Sequence, residues 1–295
     1  MQSGMSLISS SPPSPPKVGL ILTGGGARAA YQVGVLRAIA AMLPEGARNP
    51  FPIICGTSAG AINATSLAVS ATNFHEGVRQ LAAVWENFHV KQVYRADPIG
   101  ALGNSARWLA SLLLGGLGKH SAVSLLDNSP LAQLLARSLP FHGIQHSIET
   151  GALHALSLTA SGYTSGQSVT FFQGAGSITP WRRARRVGIA ARIGVEHLMA
   201  SSAIPFLFPA VKLNREYFGD GSMRQLAPIS PALHLGTERA LVIGVRKTAD
   251  APPDRVKVAG YPPLAQIAGH VMSSIFSTIW TWTWSACSAS TTPSG

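Results

Sequence analysis

The chain repeats one local pattern twice near its start: a short apolar run, a glycine-rich turn, and a segment with helical spacing. VGLILT leads through TGGG into a stretch from Ala27 to Leu43 with apolar residues at helical spacing. PIIC then leads through GTSAG into an Ala-rich stretch from Ala59 to about Ala71. Parallel strands need a crossover between them, and a helix usually supplies it. The repeated pattern therefore predicts an α/β fold with a mostly parallel central sheet.

The rest of the chain carries weaker signals for secondary structure. Residues 75–140 look mainly helical, with a leucine-rich piece at 108–117. Residues 155–173 alternate and break at Ser-Gly, which predicts a hairpin. We expect a helix near Gly188–Ala200 and a further buried strand at residues 240–245.

Three segments of different character divide the chain. Residues 1–16 are dominated by Ser and Pro, which predicts a disordered leader. Residues 17–275 carry the predicted strands and helices as one domain. Residues 276–295 alternate Trp with Thr or Ser and contain no acidic residue. We interpret them either as a disordered tail or as a segment altered by a frameshift.

The composition bears on partners and compartment rather than on fold. A formal net charge of +11 would suit anionic lipid or nucleic acid equally well. Cys55 and Cys287 are too few for a disulfide framework or a zinc site, and Cys55 fits a small buried apolar position. The start lacks the pattern of a signal peptide, and no uncharged apolar run is long enough to span a bilayer. We therefore expect a cytoplasmic or peripheral membrane protein.

The segment Gly56-Thr57-Ser58-Ala59-Gly60, between a predicted strand and a predicted helix, has the pattern of a nucleophile elbow. Such a turn is so sharp that the residues two before and two after the nucleophile must be small. It would place the Ser58 hydroxyl at a helix N-terminus, where the helix dipole favours developing negative charge. A Gly/Ser turn that merely opens a helix is the structural alternative.

The earlier turn, Gly24-Gly25-Gly26-Ala27-Arg28, also lies between a strand and a helix. Consecutive glycines let backbone N–H groups point into one concavity, which can hold a phosphate or an oxyanion. Taken alone, the turn also fits a loose dinucleotide-binding fingerprint, but no strand ending in Asp or Glu follows about 20 residues later. Two glycine-lined turns after neighbouring strands favour a single site instead.

A serine nucleophile needs a base, and Asp220 in Tyr217-Phe218-Gly219-Asp220-Gly221 is the better candidate. The aromatic pair predicts a strand, and the flanking glycines let the carboxylate approach another backbone. An ordinary Asp is a weak base at neutral pH, so a dry pocket and direct contact with the serine hydroxyl are required. Among nine histidines, His197 and His234 are the nearest rivals, although neither lies in a recognisable motif.

Together these motifs resemble the patatin-like phospholipase family over roughly residues 17–246. Gly24–Arg28 looks like its oxyanion loop, Gly56–Gly60 like its elbow, and Asp220-Gly221 like its acidic dyad motif. A further block, Ala200–Pro205 through Phe208-Pro209, also looks like the family's.

The resemblance implies a three-layer α/β/α fold and a catalytic dyad of Ser58 and Asp220 without histidine, metal or cofactor. The oxyanion-binding residues that it implies are Gly24, Gly25, Gly26, Arg28 and Ala59, with Gly56 and Gly60 shaping the elbow. One departure is Ser222, where the family often has Gly or Ala after Asp-Gly. Its small hydroxyl should be tolerated.

The implied activity is hydrolysis of fatty-acyl esters of phospholipids or lysophospholipids through an acyl-enzyme. Two alternatives stay open: an inactive lipid-binding member of the family, and a nucleotide-binding enzyme that uses the Gly24–Gly26 loop. The leucine-rich piece fits either an interfacial lid or a core helix. A basic run beside Trp181 either meets anionic headgroups or is simply solvated; its members are Arg182, Arg183, Arg185 and Arg186. Acyl lipid is the expected partner, nucleic acid is not.

Overall fold

The computed structural model describes residues 16–95, 124, 126–225 and 227–245. Within these residues one nine-stranded sheet comprises β1 Val18–Leu22, β2 Ile53–Thr57, β3 Ala155–Gly162, β4 Ser168–Gly174, β5 Trp181–Arg183, β6 Arg186–Ala190, β7 Val211–Leu213, β8 Glu216–Asp220 and β9 Arg239–Ile243. The α-helices of the same residues are α1 Ala30–Ala41, α2 Ala59–Val69, α3 Phe74–Glu86, α4 Ser129–Ser138, α5 His142–Glu149, α6 Val195–Ser201 and α7 Ser230–His234. The expected leader, the tail at 276–295 and the leucine-rich piece at 108–117 lie outside the described residues.

The sheet has the order β5-β6-β4-β3-β2-β1-β9, and β8 pairs with β3 and β7 off this path. Strands β9, β1, β2 and β3 are parallel neighbours, and β4 and β6 are also parallel to each other. The β3–β4 hairpin is antiparallel, as the alternation at residues 155–173 predicts. The predicted α/β class with a mostly parallel central sheet is confirmed.

Alternating side chains of the central strands divide the core into two layers, as the period of two along a strand requires. Leu20, Leu22 and Ile54 pack on one face with the large cluster that includes residues of α1, α2 and α3. Ile21, Ile53 and Cys55 pack on the other face, together with Ala232 of α7 and Leu235, the residue that follows this helix. The sheet is thus covered on both faces, which confirms the three-layer arrangement. Cys55 is buried in this smaller core, as predicted.

Two expectations from the sequence are wrong in detail. Residues near Gly188–Ala200 do not form one helix: β6 extends through Ala190, and α6 begins only at Val195. A side chain at position 188 would collide with the Trp181 ring, so the strand packs closely there because residue 188 is glycine. The run at 240–245 does contain a strand, but among the described strands β9 pairs with β1 alone and lies at the edge of the sheet, and most of it is exposed.

Candidate active site

The ends of two strands meet on one side of β3. The last registered pair between β2 and β3 joins Thr57 to Thr159. The next residue of β3, Ala160, pairs with Asp220, the last residue of β8. Strand β8 therefore replaces β2 as the pairing partner on this side of β3, at the point where β2 ends and the chain turns at Ser58. Because successive rungs are about 3.3 Å apart along a strand, Ser58 and Asp220 are brought to the same place.

Ser58 occupies a sharp turn between β2 and α2. Its backbone has φ 54° and ψ −129°, a left-handed value that costs a non-glycine residue about 1–3 kcal/mol. A Cβ on Gly56 would lie 2.5 Å from the Ala61 Cα, and one on Gly60 would collide with the Leu22 carbonyl group. Both glycines are therefore required for α2 to pack this closely behind the turn. The backbone therefore makes a sharp and strained turn at Ser58, directly between β2 and α2.

The glycine loop after β1 lies directly against the elbow. A Cβ on Gly24 would come within 3.1 Å of the Ser58 Cβ and 2.5 Å of the Ser222 Oγ. The N–H groups of Gly24, Gly25 and Gly26 donate no hydrogen bond within the described part of the chain, and the same holds for Ala59 at the start of α2. Free amide donors beside a hydroxyl are suited to hold an oxyanion.

Asp220 is fully buried, and its two carboxylate oxygens have different surroundings. Oδ1 accepts a hydrogen bond of 2.8 Å from the Ser222 N–H. Oδ2 is buried and has no partner that meets hydrogen-bond geometry among the described residues. Burial raises the pKa of Asp220 from 3.8 to about 6, while the Ser58 hydroxyl and the Ser222 N–H and hydroxyl act in the opposite direction. The Ser58 hydroxyl thus lies near enough to influence the carboxyl without closing a well-formed hydrogen bond.

Comparison with known proteins gives the family of the chain. A family model described as patatin-like phospholipase matches residues 20–233. The chain belongs to the patatin-like phospholipase family. No curated protein matches the chain.

Two solved structures resemble this patatin-like chain weakly. VipD from Legionella pneumophila is 16% identical, with 70% of this chain and 46% of that chain covered at a TM-score of 0.39. The type III effector protein ExoU is 14% identical, with 92% and 53% covered at a TM-score of 0.35. The chain therefore spans about half the length of either structure. Structural similarity this weak gives no information about its site.

The structure brings most of the expected site residues of this patatin-like chain together. Ser58 lies next to both Asp220 and Gly24, and the N–H of Ala59 lies at the adjoining helix start. Arg28 is exposed on the 3-10 turn Gly26–Ala29, and no described contact joins its side chain to the serine or the aspartate.

The two rival histidines lie elsewhere. His197 packs its ring edge-on against Phe171 and accepts a hydrogen bond from the Gly194 N–H at the start of α6. Burial lowers the pKa of His197, although neighbouring Glu196 acts to raise it. His234 stacks on Trp181 at 4.8 Å. Neither ring contacts Ser58 or Asp220 within the described residues.

One buried residue that sequence reasoning left without a role is Ser201. Its Oγ accepts a hydrogen bond of 2.9 Å from the Ser58 N–H and donates one of 2.7 Å to the Thr159 carbonyl oxygen. It therefore ties the elbow to the strand on which Asp220 is registered. The residue falls within the block starting at Ala200 that resembles the family, but nothing in that block indicates its partners.

A second unforeseen group of buried amides anchors the glycine loop. The Gln32 side chain donates to the carbonyl oxygens of Thr23 at 2.8 Å and Ile243 at 3.2 Å. Asn63 of α2 donates to Gln32 and accepts from the Trp85 indole. This chain of hydrogen bonds fixes the end of β1, from which the loop departs. The sequence signal that could have predicted this network is the presence of Gln32 and Asn63 on otherwise apolar helix faces.

Among the described residues, His, Cys, Asp and Glu form no group of three or more that could hold a metal ion. In the same residues no helix is long and apolar enough to cross a membrane.

Proposed function

We propose that this protein cleaves fatty-acyl esters of phospholipids or lysophospholipids, with Ser58 as nucleophile and Asp220 as base. The observation that supports this most directly is that β2 and β8 end against each other on one side of β3. Thr57 and Asp220 pair with consecutive residues of that strand. A hydroxyl on a strained turn and a buried carboxyl therefore lie side by side, with free amide donors next to them.

The surroundings of Asp220 suit a base. A general base works best when its pKa is near the operating pH, and burial raises that of Asp220 to about 6. Oδ1 is held by the Ser222 N–H, which leaves the unpartnered Oδ2 to accept the Ser58 proton. One oxygen positions the carboxylate and the other takes part in proton transfer.

The reaction proceeds in two acyl transfers. Ser58 attacks the ester carbonyl as Asp220 takes its proton, and the oxyanion is bound by the amides of the glycine loop and of Ala59. Asp220 then gives the proton to the departing alcohol as the ester bond breaks, which leaves an acyl-serine. Water enters, loses a proton to Asp220 and attacks the acyl group. The fatty acid leaves as the proton returns to Ser58.

A lipid substrate also calls for contact with a membrane surface, and we propose that this contact is peripheral. The alternative role of the glycine loop, dinucleotide binding, is disfavoured by its neighbours. Gly24 lies directly against Ser58 and Ser222, so the loop adjoins the serine turn.

Covalent labelling with a fluorophosphonate probe tests the proposal, because only an activated serine reacts. We expect the wild-type chain to be labelled and to hydrolyse phospholipid, and Ser58→Ala to lose both. Ser138→Ala, at an exposed serine that ends α4, serves as the matched control and should behave as wild type. A wild-type chain that binds lipid vesicles but shows neither labelling nor hydrolysis would identify an inactive lipid-binding protein and refute the proposed activity.

A further inference from the structure

Three turns lie at the edge of the sheet that carries Ser58. Strands β1, β2 and β3 all end at this edge, which we name the carboxyl edge. Strand β4 starts there because Ser168 pairs with Ser161, and β6 starts there because Arg186 pairs with Ser168. The β3–β4 turn and the β5–β6 turn therefore both lie at the carboxyl edge. Strand β8 extends past the end of β3, so the β7–β8 turn projects beyond the same edge.

The β5–β6 turn is strongly basic. It contains Arg182, Arg183, Arg185 and Arg186, of which the first three are exposed. The turn is fixed to the sheet by a 2.9 Å hydrogen bond from the Ser168 N–H to the Arg185 carbonyl oxygen. Strand β6 is three strand spacings from β2, which places the turn about 14 Å from the elbow across the sheet.

The β7–β8 turn adds cationic and aromatic side chains to the same edge. Lys212 and Arg215 are exposed, and the Lys212 Nζ lies 5.9 Å from the centre of the Tyr217 ring. Tyr217 is 51% exposed, and Tyr163 on the adjacent β3–β4 turn is 46% exposed. The acidic side chain of this turn, Glu216, accepts a 2.6 Å hydrogen bond from the Ser165 N–H.

The charges of these turns are not neutralised by neighbours. Neither the β5–β6 nor the β7–β8 turn forms an ion pair with an acidic residue in the described part of the chain. On the helical layer, by contrast, Arg37 pairs with Glu86 and Arg79 pairs with Glu76. A group of cationic side chains without ion pairs among the described residues therefore lies at the edge that carries Ser58, where it could meet an anionic partner; its members are Arg182, Arg183, Arg185, Arg186, Lys212 and Arg215.

We propose that the β5–β6, β7–β8 and β3–β4 turns form a docking surface for anionic lipid membranes, oriented so that Ser58 faces the bilayer. This inference rests on the proposed function, since the docked lipid is the substrate. Nucleic acid would meet the same charges, but two half-exposed tyrosines beside them favour a lipid–water interface, where tyrosine is enriched. The bound surface and the reacting ester then lie on the same side of the protein.

Vesicle sedimentation tests the surface, using the full chain with Ser58→Ala so that lipid is not consumed. The probes are phosphatidylcholine vesicles with and without phosphatidylserine. Each arginine near an anionic membrane contributes about fivefold to binding, so Arg183→Glu with Arg185→Glu should weaken binding to the anionic vesicles by at least about 25-fold. Little binding to pure phosphatidylcholine is expected.

The matched control is Arg48→Glu with Arg239→Glu, which changes the net charge equally. Arg48 precedes β2 and Arg239 begins β9, so both exposed arginines lie at the opposite edge of the sheet. The control should bind as the parent does. The surface is refuted if the turn variant binds as the parent does, if both variants weaken equally, or if polyuridylate binds more tightly than vesicles with the same dependence on the turn. A chain that hydrolyses no lipid but keeps the turn-dependent binding would refute the proposed function and leave the docking surface standing.

Discussion

Replacing Asp220 with asparagine should stabilise the folded protein at neutral pH while it abolishes turnover. The folded-state pKa of Asp220, about 6, lies above its ordinary value of 3.8 because burial disfavours the carboxylate. The protonated carboxyl is therefore the form that the fold accommodates. The stability that protonated Asp220 gives to the folded state is fully present below pH 3.8 and is lost as the pH rises through 6.

The magnitude follows from this difference in pKa. At about 1.4 kcal/mol per pKa unit, the ionised carboxylate costs the folded state about 3 kcal/mol near pH 7. Asparagine has nearly the same shape, carries no charge, and keeps an oxygen that can accept the Ser222 N–H. The variant should therefore be more stable than wild type by up to about 3 kcal/mol near pH 7, and by almost nothing near pH 4.

Urea unfolding at both pH values measures this difference. Glu45→Gln makes the same chemical change at an exposed turn and should alter stability by less than about 0.5 kcal/mol at either pH. Hydrolysis of a soluble ester should fall by orders of magnitude in Asp220→Asn only. If the asparagine variant is no more stable than wild type near pH 7, burial does not dominate the surroundings of Asp220 and the reasoning is wrong.

Two more predictions concern the same site. Because only ionised Asp220 can take the Ser58 proton, ester hydrolysis should rise about tenfold per pH unit up to about pH 6 and then level off; a rate that stays flat down to about pH 4 excludes Asp220 as the base. Ser201→Ala should lower the free energy of unfolding by about 1–3 kcal/mol and slow fluorophosphonate labelling, because it leaves the buried Ser58 N–H without an acceptor. Ser201→Thr keeps the hydroxyl and should restore both, whereas an alanine variant with wild-type stability and labelling would show that the contact does not position the elbow.

The elements that the sequence predicts well are those set by local chemistry. Gly56 and Gly60 lie where a Cβ would strike the following helix or the neighbouring strand, so the elbow is evident in five consecutive residues. The order of strand, glycine turn and helix likewise requires a parallel crossover. Such features depend on short stretches of chain, and a single sequence contains all the information that they need.

Misjudged elements depend on partners that are distant in the chain. The residues around Gly188 have apolar spacing compatible with helix or strand, and pairing with β4 and packing on Trp181 decide for strand. The apolar run of β9 looks like a buried strand, but among the described strands only β1 pairs with it, so it lies at the edge of the sheet that they form. An apolar run does not by itself reveal how many neighbours a strand will have.

The meeting of Ser58 and Asp220 also depends on distant partners, and the sequence indicates it only through the family resemblance, because the pairing of β3 is not evident from its own residues. Strand β3 pairs with β2 up to Thr159 and with β8 from Ala160, so one strand sets the distance between the serine turn and the carboxyl. Both groups lower the stability of the folded state, the serine turn through backbone strain and the ionised carboxyl through its buried charge. Ser201 joins the Ser58 N–H to the Thr159 carbonyl oxygen, at the point where the two pairings change over. The pairing of β3 with β2 and β8 therefore holds the strained serine turn beside the buried carboxyl. A shift in the register of either pairing would separate Ser58 from Asp220.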